Sequence, residues 1–175
     1  MFDYKYTDTE IKKLIKSIVI LADTREQQNQ HLINYFDKNN IIYKNQKLDC
    51  GDYSFYLPKN EELSIQRDIY FDKKIVFERK ASLEELSNNL SHERDRFEKE
   101  LSIFNGKMYL LIENANYSDI VEGKYKTNYN KKSYLATLHT FIDRYNIYIN
   151  FMSNNQFSGM FIYYTFVYYL RNCLK

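Results

Sequence analysis

The sequence contains little of what defines several protein classes. Its 175 residues include four glycines, one proline, two cysteines and no tryptophan. So little glycine and proline excludes collagen-like and Pro/Gly-rich low-complexity chains. The two cysteines, Cys50 and Cys173, cannot build a disulfide framework or a thiolate zinc site. This scarcity of cysteine favours a reducing, cytoplasmic location.

Long apolar runs and a large excess of one charge are also missing. The start of the chain has no apolar signal core, and no run reaches the roughly 18 apolar residues of a membrane span. The formal net charge of +2 neither requires nor excludes a nucleic-acid partner, because the placement of charge decides binding. With 44% hydrophobic residues the chain can build a core. We therefore expect one folded domain over 1–175.

Hydrophobic periodicity predicts strands with interleaved helices. Short apolar runs predict strands over 18–22, 41–48, 53–57, 108–112 and 147–152, and a strand-like stretch over 69–77 with a possible turn at Lys73 and Lys74. Helical spacing predicts a short helix in the extension 1–16, capped by Asp8 or Thr9, and further helices over 32–39, 83–90, 91–104, 133–145 and 156–174. This order predicts the α/β class, with a mixed central β-sheet flanked by helices.

Three acidic residues stand at the ends or edges of predicted strands. Asp23 follows the first strand, Asp52 lies in a Cys-Gly-Asp-Tyr turn, and Glu78 ends the strand that begins near 75. Open α/β sheets place ligands at strand ends, and gathered carboxylates repel one another unless a cation lies between them. Carboxylate oxygens suit Mg²⁺, for which Mn²⁺ can substitute. The pattern predicts a metal site.

The Glu78-Arg79-Lys80 triplet is informative because a strand alternates its faces. Glu78 and Lys80 should point to one side of the sheet and Arg79 to the other. Glu78 would then hold a cation while Lys80 steadies a water molecule or a phosphate oxygen. Each fragment also has an ordinary explanation: Glu-x-Lys as a solvated strand edge, Gly-Asp as a turn, and Asp23 as a helix cap.

Four blocks in a fixed order resemble the nuclease domain of the XPF-type excision-repair endonucleases. The blocks are Leu21–Gln27, Gly51–Tyr53, Phe77–Lys80 followed by Glu84, and Leu110–Glu113. The resemblance runs from about residue 18 to about 115. It is strongest to the compact, stand-alone versions of phages and mobile elements, which share the stretch 89–97.

The resemblance implies a restriction-endonuclease-like core and a metal-dependent DNA endonuclease, possibly specific for DNA structure. It implies metal ligation by Asp23, Asp52 and Glu78. Lys80 would be the catalytic lysine, acting with Glu78 and Asp52, and the supporting residues would be Arg25, Glu26, Arg79 and Glu84. Glu84 stands where the family has aspartate. No segment resembles the helix-hairpin-helix modules of larger relatives, so a preference for branched DNA is not implied.

Two basic segments are candidates for DNA binding. Arg94 and Arg96 match the family pattern, although i,i+4 pairs on a solvated helix face would explain them equally well. A later segment interleaves lysines with tyrosines and can track a DNA backbone, or be a plain charged loop. Its lysines are Lys124, Lys126, Lys131 and Lys132.

The last predicted helix is apolar almost all round. Such a helix is buried on several sides, either within the monomer or in a homodimer formed through the C-terminal helices. Two other functional classes stay open. The chain would otherwise be a catalytically silent DNA-binding or assembly module of the same fold, or a regulatory protein that binds a partner through this helix.

Overall fold

A computed structural model describes residues 4–175, so the first three residues of the predicted N-terminal extension lie outside the described part. The chain divides into two compact units. Unit 1 consists of the described residues up to Asp72 together with Gly159–Lys175, and unit 2 is Lys73–Ser158. A single nuclease domain over 1–175 stays a prediction. No helix in the described part is long and apolar enough to cross a membrane.

Unit 1 is built on a small mixed sheet. Its strands are β1 (Val19–Ala22), β2 (Ile42–Asn45), β3 (Tyr53–Leu57) and β4 (Ile69–Tyr70), and its helices are α1 (Asp8–Lys16), α2 (Gln30–Lys38) and all but the first residue of the last helix, Ser158–Leu174. β1 pairs parallel with β2 and antiparallel with β3, which in turn pairs antiparallel with β4. Ala22 at the end of β1 pairs with Tyr53 at the start of β3, so the residues that follow β1 and precede β3 lie at the same edge of the sheet.

Aromatic packing fixes the last helix on this sheet. The Phe55 ring of β3 stacks on Phe71 at 4.4 Å between centroids and contacts Phe166 at 5.0 Å. All three side chains are fully buried. Gly159 lies so close to α2 that a Cβ there would come within 2.8 Å of the Tyr35 ring. The first turn of this helix therefore requires glycine.

Unit 2 is a three-stranded parallel sheet with two helices in each crossover connection. The strands are β5 (Ile75–Lys80), β6 (Lys107–Glu113) and β7 (Tyr148–Met152). The crossovers contain α3 (Leu83–Ser91), α4 (Arg94–Ile103), α5 (Tyr117–Glu122) and α6 (Lys131–Tyr145). The last helix of the chain, Ser158–Leu174, is α7. Parallel pairing requires such crossovers, and α3 covers β5 and β6.

The α/β class with a mixed sheet flanked by helices is confirmed, but several boundaries differ from the prediction. The cap of α1 is Thr7 rather than Asp8 or Thr9, because the Thr7 hydroxyl accepts the Glu10 N–H. The predicted strand 41–48 ends at Asn45, and α5 was not predicted. The strand-like stretch 69–77 is two strands that separate at the possible turn at Lys73 and Lys74. α7 is not buried all round, since one stripe of its surface is exposed.

Candidate functional site

Asp23 lies directly after β1, where its buried carboxylate organises the surrounding chain. Its Oδ1 accepts from the Arg25 backbone N–H at 2.8 Å and from Arg25 Nε at 2.7 Å. Its Oδ2 accepts from the Leu48 N–H at 2.6 Å and from an Arg25 terminal nitrogen at 3.2 Å, which also donates to the Leu48 carbonyl. Asp23 thus ties the end of β1 to the segment that precedes β3.

These contacts keep Asp23 charged. Burial raises the pKa of the Asp23 carboxyl, but the hydrogen bonds from Arg25 and Leu48 outweigh burial and lower the pKa below its usual value. A carboxylate has about four lone-pair sites, and four donors already approach this one. Direct ligation of a metal by Asp23 would require one of these hydrogen bonds to break.

A main-chain hydrogen bond joins Asp52 to Asp23. The Asp23 N–H donates to the Asp52 carbonyl at 2.8 Å, and the Glu26 N–H donates to the Asp23 carbonyl at 3.1 Å. Gly51, just before Asp52, has φ +73°, a conformation that a side chain would strain. The half-buried Asp52 then begins the approach to β3. Unit 1 therefore brings together Asp23, Arg25, Glu26 and Asp52.

Glu78 and Lys80 meet on one face of β5. Lys80 Nζ donates to Glu78 Oε1 at 2.7 Å, and the two side chains are 9% and 12% exposed, respectively. The ammonium also lies 5.2 Å from the centre of the buried Phe97 ring and 3.9 Å from Glu85 Oε1. These contacts confirm that Glu78 and Lys80 share a side of the strand. They hold the lysine at a mostly buried position that still reaches solvent.

Arg79 points to the opposite face, where its partner is Glu113. Arg79 donates to Glu113 Oε2 at 2.8 Å, and the two side chains are 4% and 1% exposed. The pair joins β5 to β6 inside unit 2. Its support of the neighbouring Glu78 and Lys80 is mechanical, because Arg79 fixes the strand that carries them. Sequence reasoning did not find Glu113 as this partner, although an acid closing an apolar strand is a signal of a buried ion pair.

Glu84, the last acid of the family pattern, contacts a loop. Its Oε1 accepts the Lys126 N–H at 2.8 Å. This hydrogen bond is the main reason that the pKa of Glu84 is lowered, against the opposing effect of burial. The Ser87 hydroxyl adds a hydrogen bond to Thr127 at 3.1 Å. Glu84 therefore helps fix the segment 123–130, which we call the α5–α6 loop.

The predicted DNA-binding cations differ in how far their charge is already paired. Arg94 contacts Glu98 at 2.6 Å and Arg96 contacts Glu100 at 3.4 Å, both across one helical turn. Lys124 pairs with Glu122. In the part of the chain that the structure describes, Lys126, Lys131 and Lys132 are exposed and have no ion pair. Those three lysines therefore have the most accessible positive charge of the predicted set.

The donor chemistry fits a weakly held divalent cation. Within residues 4–175, no three side chains among His, Cys, Asp and Glu form a ready metal cluster. Glu78 Oε2 has no protein donor within the same residues, so this carboxylate oxygen can accept a further ligand. Mg²⁺ is commonly bound through one or two carboxylates while water and substrate phosphate complete its coordination. The Glu78 carboxylate fits a divalent cation bound in this open way.

Comparison with known proteins identifies the family. The model of the ERCC4 domain matches residues 22–165, which include every predicted site residue from Asp23 to Lys132. The chain belongs to the ERCC4 domain family. A search of curated proteins finds no significant match for this ERCC4 domain.

Solved structures give the same fold. XPF from Aeropyrum pernix matches with a TM-score of 0.62 and 14% identity over 87% of this chain. A structure of that XPF in complex with DNA matches with a TM-score of 0.62 and 13% identity over 88%. In both cases the ERCC4 domain spans 65% of the XPF chain, slightly less than two thirds. The expected likeness to XPF-type nuclease domains is confirmed at the level of family and fold.

Proposed function

We propose that this ERCC4 domain is a metal-dependent endonuclease that hydrolyses DNA phosphodiester bonds. The observation that carries the proposal is the Glu78–Lys80 pair, a carboxylate and an ammonium 2.7 Å apart near the end of one strand. A structural module would have little reason to keep a mostly buried lysine beside a carboxylate that reaches solvent. The complex of the similar XPF with DNA supports DNA as the substrate.

Each site residue has a specific role in this proposal. Glu78 would hold the cation beside Lys80, and Asp52 and Asp23 are the further ligands that the sequence predicts. Within unit 1, Asp23 holds the Asp52 segment in place through Arg25 and Leu48, and it would give up a hydrogen bond where it also acts as a ligand. When bound, Mg²⁺ supplies Lewis-acid polarisation of the phosphoryl group and lowers the pKa of a water molecule.

Lys80 acts directly on the substrate. Its ammonium group lies 2.7 Å from the Glu78 carboxylate at a position that still reaches solvent. From there the ammonium can orient an attacking water molecule or stabilise the charge that develops on a phosphate oxygen. The buried Phe97 ring, whose centre lies 5.2 Å from Nζ, packs beside the ammonium and helps hold the lysine in position.

A cleavage assay tests this proposal. Purified protein is incubated with labelled single-stranded, duplex, flap and fork DNA in Mg²⁺, Mn²⁺ or EDTA, beside Lys80→Ala and the matched control Lys73→Ala, an exposed lysine of unit 2. We expect cutting in either metal, none in EDTA, a loss of at least about a hundredfold in Lys80→Ala, and normal cutting in the control. Binding without cutting on every DNA in every metal would instead identify a catalytically silent DNA-binding or assembly module.

The assembly and biological setting are also proposals. A homodimer through the C-terminal helices is supported by a stripe of exposed side chains on α7, formed by Met160, Tyr164 and Tyr168. A cytoplasmic location, a role in DNA repair or recombination, and kinship with the compact phage and mobile-element versions rest on the sequence alone.

A further inference from the structure

Unit 2 contains a groove between α3 and the α5–α6 loop. The groove has a volume of about 350 Å³, and its walls include Asn88, Ser91 and His92 on one side and Thr127, Asn128 and Tyr129 on the other. A second depression of about 470 Å³ follows residues 91–96 and shares Ser91 and His92 with the groove. Its lining includes two arginines and two carboxylates, Glu93, Arg94, Asp95 and Arg96.

The groove is preformed because the loop is fixed to both helices beside it. Glu84 accepts the Lys126 N–H, and Ser87 bonds to Thr127. The Tyr129 hydroxyl lies 3.1 Å from the hydroxyl of Thr137 on α6, and its ring packs edge-on against Tyr134 at 5.3 Å. A wall held at several points needs little ordering when a ligand binds.

The lining of the groove suits a nucleobase better than a phosphate. The Glu84 carboxylate lines it, no lysine or arginine does, and most of its exposed lining is apolar. Within the described residues, the side-chain amides of Asn88 and Asn128 have no hydrogen-bond partner. A side-chain amide presents a hydrogen-bond donor and an acceptor side by side, and the edge of a nucleobase presents a complementary pair. In a duplex the Watson–Crick edge is already paired, so only an unpaired base can use such a site fully.

We propose that this groove binds an unpaired base of a DNA strand. The inference rests on the proposed function only in taking DNA as the ligand. It assigns Asn88 and Asn128 to base contacts and His92 to the junction between the two depressions. Glu84 becomes a positioning residue, because it holds the loop that forms one wall.

A binding experiment in EDTA tests the groove without cleavage. Fluorescence anisotropy measures the affinity for a labelled thymidine homopolymer and for a blunt duplex of equal length. The double variant Asn88→Ala/Asn128→Ala should bind the single strand about thirtyfold more weakly, as expected for two lost hydrogen bonds, with duplex affinity unchanged. Asn105→Ala, an exposed asparagine outside the groove, is the matched control. Equal affinity of the double variant and the control for the single strand would contradict the proposal that the groove binds an unpaired base.

Nuclear magnetic resonance provides a readout that does not depend on a variant. The chain has three histidines, and only His92 lines the groove. Addition of the homopolymer should shift the His92 ring signals saturably and leave those of His31 and His139 in place. An unmoved His92 signal, an equal shift with the duplex, or saturation by thymidine monophosphate at the same concentration would each overturn the assignment to an unpaired base in a strand.

The two proposals fail separately. Binding that depends on the groove, together with no cleavage in any metal, would overturn the nuclease activity and support the groove. Cleavage that requires Lys80, together with unchanged single-strand binding by the double variant, would contradict base binding in the groove and support the nuclease activity.

Discussion

Arg79 differs from its neighbours Glu78 and Lys80 in what its removal should cost. Because Arg79 pairs with the almost fully buried Glu113, Arg79→Ala would leave a carboxylate buried without its countercharge. We expect the free energy of unfolding to fall by about 3–5 kcal/mol. Urea denaturation followed by circular dichroism measures the change.

The double variant Arg79→Met/Glu113→Leu is the control for the buried pair. It replaces both charges by apolar groups and should recover most of the lost stability, because no unpaired charge remains. Lys80→Ala should destabilise clearly less than Arg79→Ala, since Glu78 keeps access to water. Equal losses in Arg79→Ala and Lys80→Ala would contradict the separation of a structural residue from a catalytic one.

Asp23 should make stability depend on pH. Its pKa is lower in the folded chain than in the unfolded chain, so its contribution is present above the unfolded value of about 4 and is lost as the pH falls through the folded value. Asp23→Asn removes this titration. The difference in unfolding free energy between the parent and Asp23→Asn should therefore shrink as the pH falls below about 4.

Urea denaturation over a series of pH values from neutral downward measures this dependence. Asp37→Asn, on the exposed side of α2, controls for the loss of one negative charge. A difference between the parent and Asp23→Asn that stays constant with pH would show that the Arg25 and Leu48 contacts do not stabilise the charged carboxylate.

At the scale of elements, the sequence predicts what depends on local pattern. The strand at 53–57 matches β3 at both ends, because its alternation is bounded by a turn and a proline. The predicted strand 41–48 ends early because the Leu48 N–H donates to the Asp23 carboxylate instead of to a neighbouring strand. α5 was missed because six residues are too short for helical periodicity, although Gly123, with φ +74°, marks its end.

The same distinction applies to the candidate site. The shared face of Glu78 and Lys80 follows from the two-residue period of a strand, which is local. The partner of Arg79 is not local: β5 and β6 place Arg79 beside Leu111, and Glu113 lies two residues further on the same face. The contact of Glu84 with Lys126 crosses 42 residues and depends on how the α5–α6 loop folds back. No spacing rule gives either contact.

At the scale of the whole molecule, the surface of α7 links the fold to assembly. The side chains of Ile162, Phe166 and Leu170 are fully buried, whereas Met160, Tyr164 and Tyr168 are 40%, 48% and 57% exposed. Both sets repeat every four residues and therefore occupy two different stripes of one helix. Tyrosine can remain in water or enter an interface, so the exposed stripe is compatible with a monomer and suited to a partner.

We expect this stripe to form part of the homodimer contact. A stable dimer usually buries roughly 1,200–2,000 Å² in total, so charge introduced near the centre of its interface should be poorly tolerated. Tyr164→Glu/Tyr168→Glu should shift the protein from dimer to monomer in sedimentation velocity. The single variant Ile103→Glu, at an exposed apolar position of α4, should remain dimeric. A parent protein that is monomeric at every concentration would exclude the homodimer, and a double variant that stays dimeric would place the contact away from α7.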